Sequence, residues 1–258
     1  MVLGVDIGNT NIVVGGLGGG GIKFVSRIAT EKSRTEFEYA IMIRGILNMY
    51  EINAEETEGA IISSVVPPLT RVMKNAVEMV CGREPLIVGP GIKTGLNIKT
   101  DNPAALGSDL VVDAVAALAE YKPPLIVIDM GTATTISVID GDSGYMGGVI
   151  VPGMVISQNA LSANTSQLPY IDISGPDRVI GRNTVECMKS GMIYGTASLI
   201  DGMTDRIRDE LGADACAVAT GGLSGMVVPH CRRNIIYDKD LLLKGLYVLF
   251  EKNSRERR

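Results

Sequence analysis

An acid-glycine turn at the end of an apolar strand occurs twice in this chain, and the repeat constrains the fold more than any other feature. The first copy is Val5-Asp6-Ile7-Gly8-Asn9-Thr10, and the second is Ile128-Asp129-Met130-Gly131-Thr132-Ala133-Thr134. Met1 to Val5 runs up to the first acid, and Leu125 to Ile128 runs up to the second. A small-residue turn and another apolar strand follow each acid. The offset from Asp6 to Asp129 is close to half of the 258 residues. Each half then reads strand, turn, strand, hairpin, strand and helices. A duplicated α/β unit is the economical explanation. The predicted division is 1–113 and 114–258, with a ligand held between the halves.

The chain is long enough to bury a substantial core in one large or two modest domains. A net charge of −5 argues against a nucleic-acid partner, which needs a basic face. Cys81, Cys187, Cys216 and Cys231 are far apart and have no metal-ligand spacing, so reduced thiols are expected. The first apolar run contains Asp6 and has no basic region before it, unlike a secretory signal. No apolar run reaches the ~18 residues of a membrane span. A cytoplasmic location without membrane contact is expected.

Ile12 to Ile28 reads as a hairpin whose glycine-filled turn lies within Gly15 to Gly21. That run lacks the Gly-Lys-Ser/Thr ending of a phosphate loop. Thr35-Glu36-Phe37-Glu38 is a capping box, and Phe37, Ile41, Leu47 and Tyr50 carry helical spacing to about Glu51. Ala60 to Val66 is a buried strand stopped by Pro67-Pro68, and Leu69 to Val80 a helix. Gly89 to Pro103 reads as a polar loop, and Ser108 to Tyr121 as a helix. Asn183-Thr184-Val185-Glu186 opens a helix that Gly212 ends. Ala215 to Ala219 is a strand leading into Thr220-Gly221-Gly222, and the last helix begins near Leu241. The charged tail from Asn253 to Arg258 is expected to fray.

A glycine after a strand lets backbone N–H groups approach an anion closely. Asn9, Thr10, Thr132, Thr134 and Thr135 add neutral donors. Phosphate would repel Asp6 and Asp129 directly, so they make sense as ligands of cations or of cation-bound water. Either turn alone would be an ordinary Asp-Gly turn; at equivalent places in a repeat they point to a nucleotide. Gly221 and Gly222 could let an adenosine lie against backbone, or could serve tight packing. Ser108 can cap its helix, which puts Asp109 in the first turn. There Asp109 is either a favourable first-turn acid or a base for a hydroxyl in phosphoryl transfer. Asn183 and Thr184 either cap a helix or meet an anion at its start. His230 has no catalytic partner nearby and reads as a surface residue.

Taken together, these motifs resemble the type III pantothenate kinases, or Bvg accessory factor-like proteins. That family belongs to the acetate and sugar kinase/heat-shock chaperone/actin superfamily. The likeness runs from Asp6-Ile7-Gly8-Asn9-Thr10-Asn11 through Lys93-Thr94-Gly95-Leu96, Asp101-Asn102-Pro103 and Gly107-Ser108-Asp109. It continues through Asp129 to Thr135, Gly147 to Gly153, Gly181 to Glu186, Ala219 to Leu223 and Leu243-Lys244-Gly245-Leu246.

The resemblance implies an α/β fold of two duplicated ribonuclease H-like (actin-like ATPase) domains with a central cleft. It implies an enzyme that phosphorylates pantothenate with ATP and Mg2+, the first step of coenzyme A biosynthesis. Asp6, Ile7, Gly8, Asn9, Thr10, Asn11, Ile12, Val13 and Thr132 would contact ATP, with Asp6 also near the magnesium. Asp109 would be the proton acceptor. Thr100, Gly107, Ser108, Asp109, Leu110 and Thr184 would meet pantothenate. Asp129 would hold a monovalent cation, potassium or ammonium, and the chain would form a homodimer. The family commonly has arginine where Leu110 stands and tyrosine where Thr100 stands; Arg182 or Lys99 could supply the missing positive charge. The alternatives are a non-catalytic ATP- or pantothenate-binding paralogue and a small kinase of another hydroxylated metabolite.

Overall fold

The computed structural model describes residues 1–254. In chain order the first elements are β1 (Val2–Ile7), β2 (Asn11–Gly18), β3 (Gly21–Ala29), α1 (Glu36–Met49), β4 (Gly59–Ser64), α2 (Pro67–Cys81), β5 (Leu86–Ile87), β6 (Asn97–Ile98) and α3 (Ser108–Glu120). There follow β7 (Leu125–Met130), β8 (Ala133–Ile139), β9 (Gly144–Pro152), α4 (Met154–Asn164), α5 (Thr184–Ser190), α6 (Thr196–Leu211), β10 (Cys216–Thr220), α7 (Ser224–Val227), β11 (Ile235–Tyr237) and α8 (Leu241–Ser254).

These elements form two compact units. The first comprises Met1–Leu96, Asp101–Ala119 and the chain from Asp240 onward; the second comprises Asn97–Thr100 and Glu120–Lys239. The expected cut between residues 113 and 114 therefore falls inside α3, whose buried Val112, Ala114, Val115, Ala116 and Ala117 keep it a single helix. The first sheet has the order β3-β2-β1-β4-β5, and the second β11-β10-β7-β8-β9-β6. Both centre on an acid-bearing strand. β1 pairs antiparallel with β2 and parallel with β4. β7 pairs antiparallel with β8 and parallel with β10. The duplication read from the two turns is thus present strand for strand. β6 is an addition: two residues of the expected polar loop pair with β9.

β1 is buried along its whole length, as an almost wholly apolar strand in the middle of a covered sheet should be. Tyr39, Ile43 and Leu47 of α1 and Leu69, Met73 and Val77 of α2 pack with Leu3, Val5 and Ile7 in one core. Val112 and Val115 of α3 and Leu243, Leu246, Leu249 and Phe250 of α8 pack with Val2, Leu17 and Ile61 in another. Each fully buried leucine there stabilises the fold by roughly 2 kcal/mol relative to exposure.

Helix α1 sits where its capping box predicted, but on a different face. Phe37 and Ile41 are 65% and 71% exposed, while Tyr39, Ile43, Ile46 and Leu47 are inside. The deciding group is Tyr39, whose hydroxyl donates to the Glu31 carbonyl at 2.8 Å and accepts from the Glu31 N–H at 3.1 Å. The helix expected from Thr184 to Gly212 also forms, interrupted by one π turn over Gly191–Gly195. Two glycines of low helix propensity bound that turn. Gly212 ends α6 in the left-handed conformation. In the first hairpin, Gly15 and Gly16 lie inside β2, and the turn is confined to Gly19 and Gly20. Asn253 does not fray: its side chain is bonded to the Lys93 N–H and carbonyl at 2.9 and 3.0 Å. Residues 255–258 of the predicted tail lie outside the described residues. All four cysteines are free thiols. Among the described residues no helix is long and apolar enough to cross a membrane, and no cluster of three or more acidic, histidine or cysteine side chains could hold a metal.

Candidate functional site

In the first unit Asp6 occupies the carboxyl end of β1, where open α/β sheets place their ligands, and is 9% exposed. The Gly8 N–H donates to the Asn11 carbonyl at 3.0 Å and closes the turn. Thr30 braces it, its hydroxyl donating to the Gly8 carbonyl at 2.7 Å and its N–H to the Thr10 carbonyl at 3.0 Å. Asn9, Thr10 and Asn11 are exposed and Val13 is half-buried. The side chains of Ile7 and Ile12 are wholly inside the core, so these two positions offer backbone alone.

The neighbouring strand β4 brings Ser63 beside Asp6 and Ser64 beside Ile7. Neither serine stands out in the sequence, where both fall within the buried strand read from Ala60 to Val66. Ser108, expected as a helix cap, is instead the first residue of α3 and turns its hydroxyl to β4. It accepts from the Ser63 hydroxyl and the Ser64 N–H, both at 3.1 Å, and donates to the Ser64 carbonyl at 2.9 Å. Asp109 follows. Its Oδ1 accepts the Leu110 N–H at 2.8 Å and lies where a Cβ on Gly107 would come within 2.5 Å. Burial pushes the Asp109 carboxyl above the ordinary range, against the opposing pull of the Leu110 and Asp109 N–H groups. A carboxylate whose affinity for protons is raised towards neutrality is better suited to general-base work than a free one. Leu110 is half-buried beside it.

In the second unit Asp129 lies near the carboxyl end of β7 and is partly exposed. The Gly131 N–H donates to the Ala133 carbonyl at 3.0 Å, and the Gly153 N–H to the Thr132 carbonyl at 3.2 Å. Thr132 is exposed at the tip. Across the strands Asp129 pairs with Thr135 on β8 and Thr220 on β10. The Thr135 Oγ1 is buried and has no hydrogen-bond partner among the described residues. Thr134 lines a cavity of about 210 Å³ with Val151, Met154, Met192 and Leu199. Gly221 has φ +94°, and a Cβ there would come within 2.4 Å of Asp129 Oδ1 and 2.6 Å of the Met130 nitrogen. Only glycine lets this turn lie so closely on the acid. Gly222 is exposed.

Thr100 follows β6 in the same unit, with a buried Oγ1 that has no hydrogen-bond partner among the described residues. Lys99 is engaged elsewhere, 2.5 Å from Asp140. Thr184 is exposed at the first turn of α5, which Asn183 caps by accepting the Glu186 N–H at 3.0 Å. Arg182 is exposed, and its N–H donates to Glu186 Oε2 at 2.9 Å. A cavity of about 400 Å³ beside that cap is lined by Arg178, Asn183, Glu186 and Lys189. His230 stacks edge-on against Tyr194 of the π turn, ring centres 4.9 Å apart.

The doubled sheet with an acid-glycine turn in each half is the plan of the sugar-kinase and actin-like ATPase folds. Its whole-chain likeness extends to a Sinorhizobium meliloti protein described as a 2-dehydro-3-deoxygalactonokinase (14% identical, TM-score 0.59, covering 96% of this chain and 95% of that one). A Campylobacter jejuni structure described as a Baf family transcriptional activator matches with TM-score 0.59 at 20% identity, over 98% and 99% of the two chains. Residues 2–206 match the family model of type III pantothenate kinases. A type III pantothenate kinase of Exiguobacterium sibiricum is 42% identical over 254 residues, 98% of this chain and 100% of that protein. The chain belongs to the type III pantothenate kinase family.

Proposed function

We propose that this chain carries out the reaction of its family, ATP-dependent phosphorylation of pantothenate in coenzyme A biosynthesis, with Asp109 as general base. The observation that carries the base assignment is the half-buried first-turn carboxylate of α3, with its raised proton affinity, the Leu110 N–H on its Oδ1 and the preceding Ser108 bonded to β4. Asp109 would accept the proton of the attacking primary hydroxyl as its oxygen bonds to the γ-phosphorus and the bond from that phosphorus to the β–γ bridging oxygen breaks, releasing ADP. That proton would stay on the carboxyl until product leaves. Glycine-turn N–H groups around Gly8 and Gly131, with Thr10 and Thr132, would orient and neutralise the phosphates. The turn at Gly221 and Gly222 would receive the adenosine.

Magnesium characteristically takes one or two protein carboxylates and completes its shell with phosphates and water. Asp6, at the carboxyl end of β1, suits that role. The buried Oγ1 of Thr135 beside Asp129, under the close cover of Gly221, suits a monovalent cation, potassium or ammonium, with oxygen ligands. When bound, these ions supply positive charge that offsets the phosphates. Leu110 leaves no cation in the acceptor loop, and Lys99 is occupied by Asp140. Exposed Arg182 is the proposed partner for the acceptor carboxylate, with Thr184 beside it. A homodimer and a cytoplasmic location accompany the family reading.

The test is ADP release with pantothenate by the wild-type chain and by Asp109→Ala. Turnover that Asp109→Ala abolishes, with ATP binding retained, supports the reading. Pantothenate-independent ADP release, or an Asp109→Ala variant of normal turnover, overturns it.

A further inference from the structure

We propose that Ser108 is a positioning residue for Asp109, fixing the base-bearing end of α3 to the strand beside Asp6. The inference rests on the reading of Asp109 as the base. A serine hydroxyl has one proton to donate and two lone pairs to accept with. Ser108 uses all three, on the Ser63 hydroxyl, the Ser64 N–H and the Ser64 carbonyl. Ser63 is wholly buried and exists in register with Asp6, and Ser64 in register with Ile7. The first residue of α3 is therefore indexed to the same strand ends as the acid of the first turn.

The clasp does not serve the β4–α2 connection, which has its own bonds. Ser64 Oγ donates to the Val66 carbonyl at 3.3 Å and accepts the Val66 N–H at 3.2 Å, and Thr70 donates to Ser64 Oγ at 2.9 Å. What the Ser108 hydroxyl alone joins is the start of α3. On the other side of Asp109 the Leu110 N–H holds the carboxylate. Displacing a reacting group by about 1 Å can cost on the order of 100-fold in rate. A clasp one residue from the base therefore acts on kcat.

The experiment compares Ser108→Ala, Ser108→Thr, Ser63→Ala and Thr70→Val in the full-length chain by steady-state turnover and thermal melting. Ser108→Ala should lower kcat about tenfold, part of the ~100-fold that misplacement can cost, and leave the KM for ATP within about twofold. Ser108→Thr keeps the hydroxyl and should restore most of kcat. Ser63→Ala removes one bond of the three and should give a smaller loss in the same direction. Thr70→Val breaks the neighbouring bonds, and should lower Tm without lowering kcat. Wild-type kcat in Ser108→Ala, or in Ser63→Ala should the first not fold, overturns the inference. So does a kcat loss in Thr70→Val that matches that of Ser108→Ala at equal loss of Tm. Asp109→Asn separates the two ideas: inactive Asp109→Asn with normal Ser108→Ala leaves the base and removes the clasp, whereas active Asp109→Asn removes the base itself.

Discussion

In the first unit the strand parallel to the acid strand ends in Ser63-Ser64; in the second the equivalent strand ends at Thr220, with Gly221 just beyond it. Both strands pair in the same way with β1 or β7, and both flank an aspartate. In one the slot is filled by hydroxyls that grip a helix bearing a second acid. In the other it is emptied to bare backbone that lies on the acid itself. The turns differ too. Four residues separate paired Ile7 and Ile12, and three separate Met130 and Thr134. A duplicated scaffold has thus been specialised at one neighbouring strand end. Gripped hydroxyls suit a group that must stay placed while a proton moves; bare glycine suits a flat ligand that arrives and departs.

The largest effect should come from Asp109→Asn, which should cost about 10²- to 10⁴-fold in turnover, the usual worth of a general base. Its stability effect has the opposite sign. The folded-state pKa lies above the unfolded one, so the protonated form favours folding fully below the unfolded value, and that advantage is lost as pH rises through the folded value. At neutral pH the buried charge is a cost that Asn removes. Melting curves should show Asp109→Asn above wild type at pH 7, the gap narrowing in acid. An unchanged Tm would mean that the carboxylate is not strained by burial.

Asp6→Asn and Asp129→Asn should divide the two turns. Loss of one charge-assisted contact is worth roughly 1.5–3 kcal/mol, or about ten- to a hundredfold. Asp6→Asn should raise the KM for Mg-ATP by that order, and Asp129→Asn should abolish activation by potassium. Equal effects of both on potassium activation would remove the distinction. Gly221→Ala forces a positive φ and a backbone clash, and should cost about 1–3 kcal/mol of stability, read by denaturant unfolding. A neutral Gly221→Ala would break the idea that close cover of Asp129 is needed. The smallest expected effect is Arg182→Ala, which should raise the pantothenate KM by up to about tenfold with ATP unaffected. An unchanged pantothenate KM would remove Arg182 from the acceptor site.

The succession of strands and helices was legible wherever the chain has a strong period or a paired motif. The two Asp-Gly turns, the capping box at Thr35 and the glycine stop at Gly212 all act locally, and all formed. What stayed hidden depends on partners distant in sequence. Ser108 reads as a cap because capping serine is the local habit; its actual partners are Ser63 and Ser64, more than forty positions earlier. Phe37 and Ile41 keep a helical period with Leu47, yet Tyr39 decides the buried face through its bond to Glu31. The short edge strand β6 has two residues and no periodicity, so only its pairing with β9 defines it. Of the acid-glycine turns the sequence showed the place, but not that Thr134 lines a cavity while Thr135 keeps a buried hydroxyl beside Asp129.

Helix α8 packs against Val2, Leu17 and Ile61, and Gly59 and Gly15 leave room for its Phe250 and Leu243. This has a consequence for synthesis. The second unit is an insertion that can finish folding while the ribosome is still at work. The first unit, begun before it, lacks the helix that covers one of its faces until residues 241–254 have emerged. The strands carrying Asp6 and Ser63 therefore wait for a helix made after the whole second unit, and a chain stalled before residue 241 would present them with an apolar face still open to chaperones.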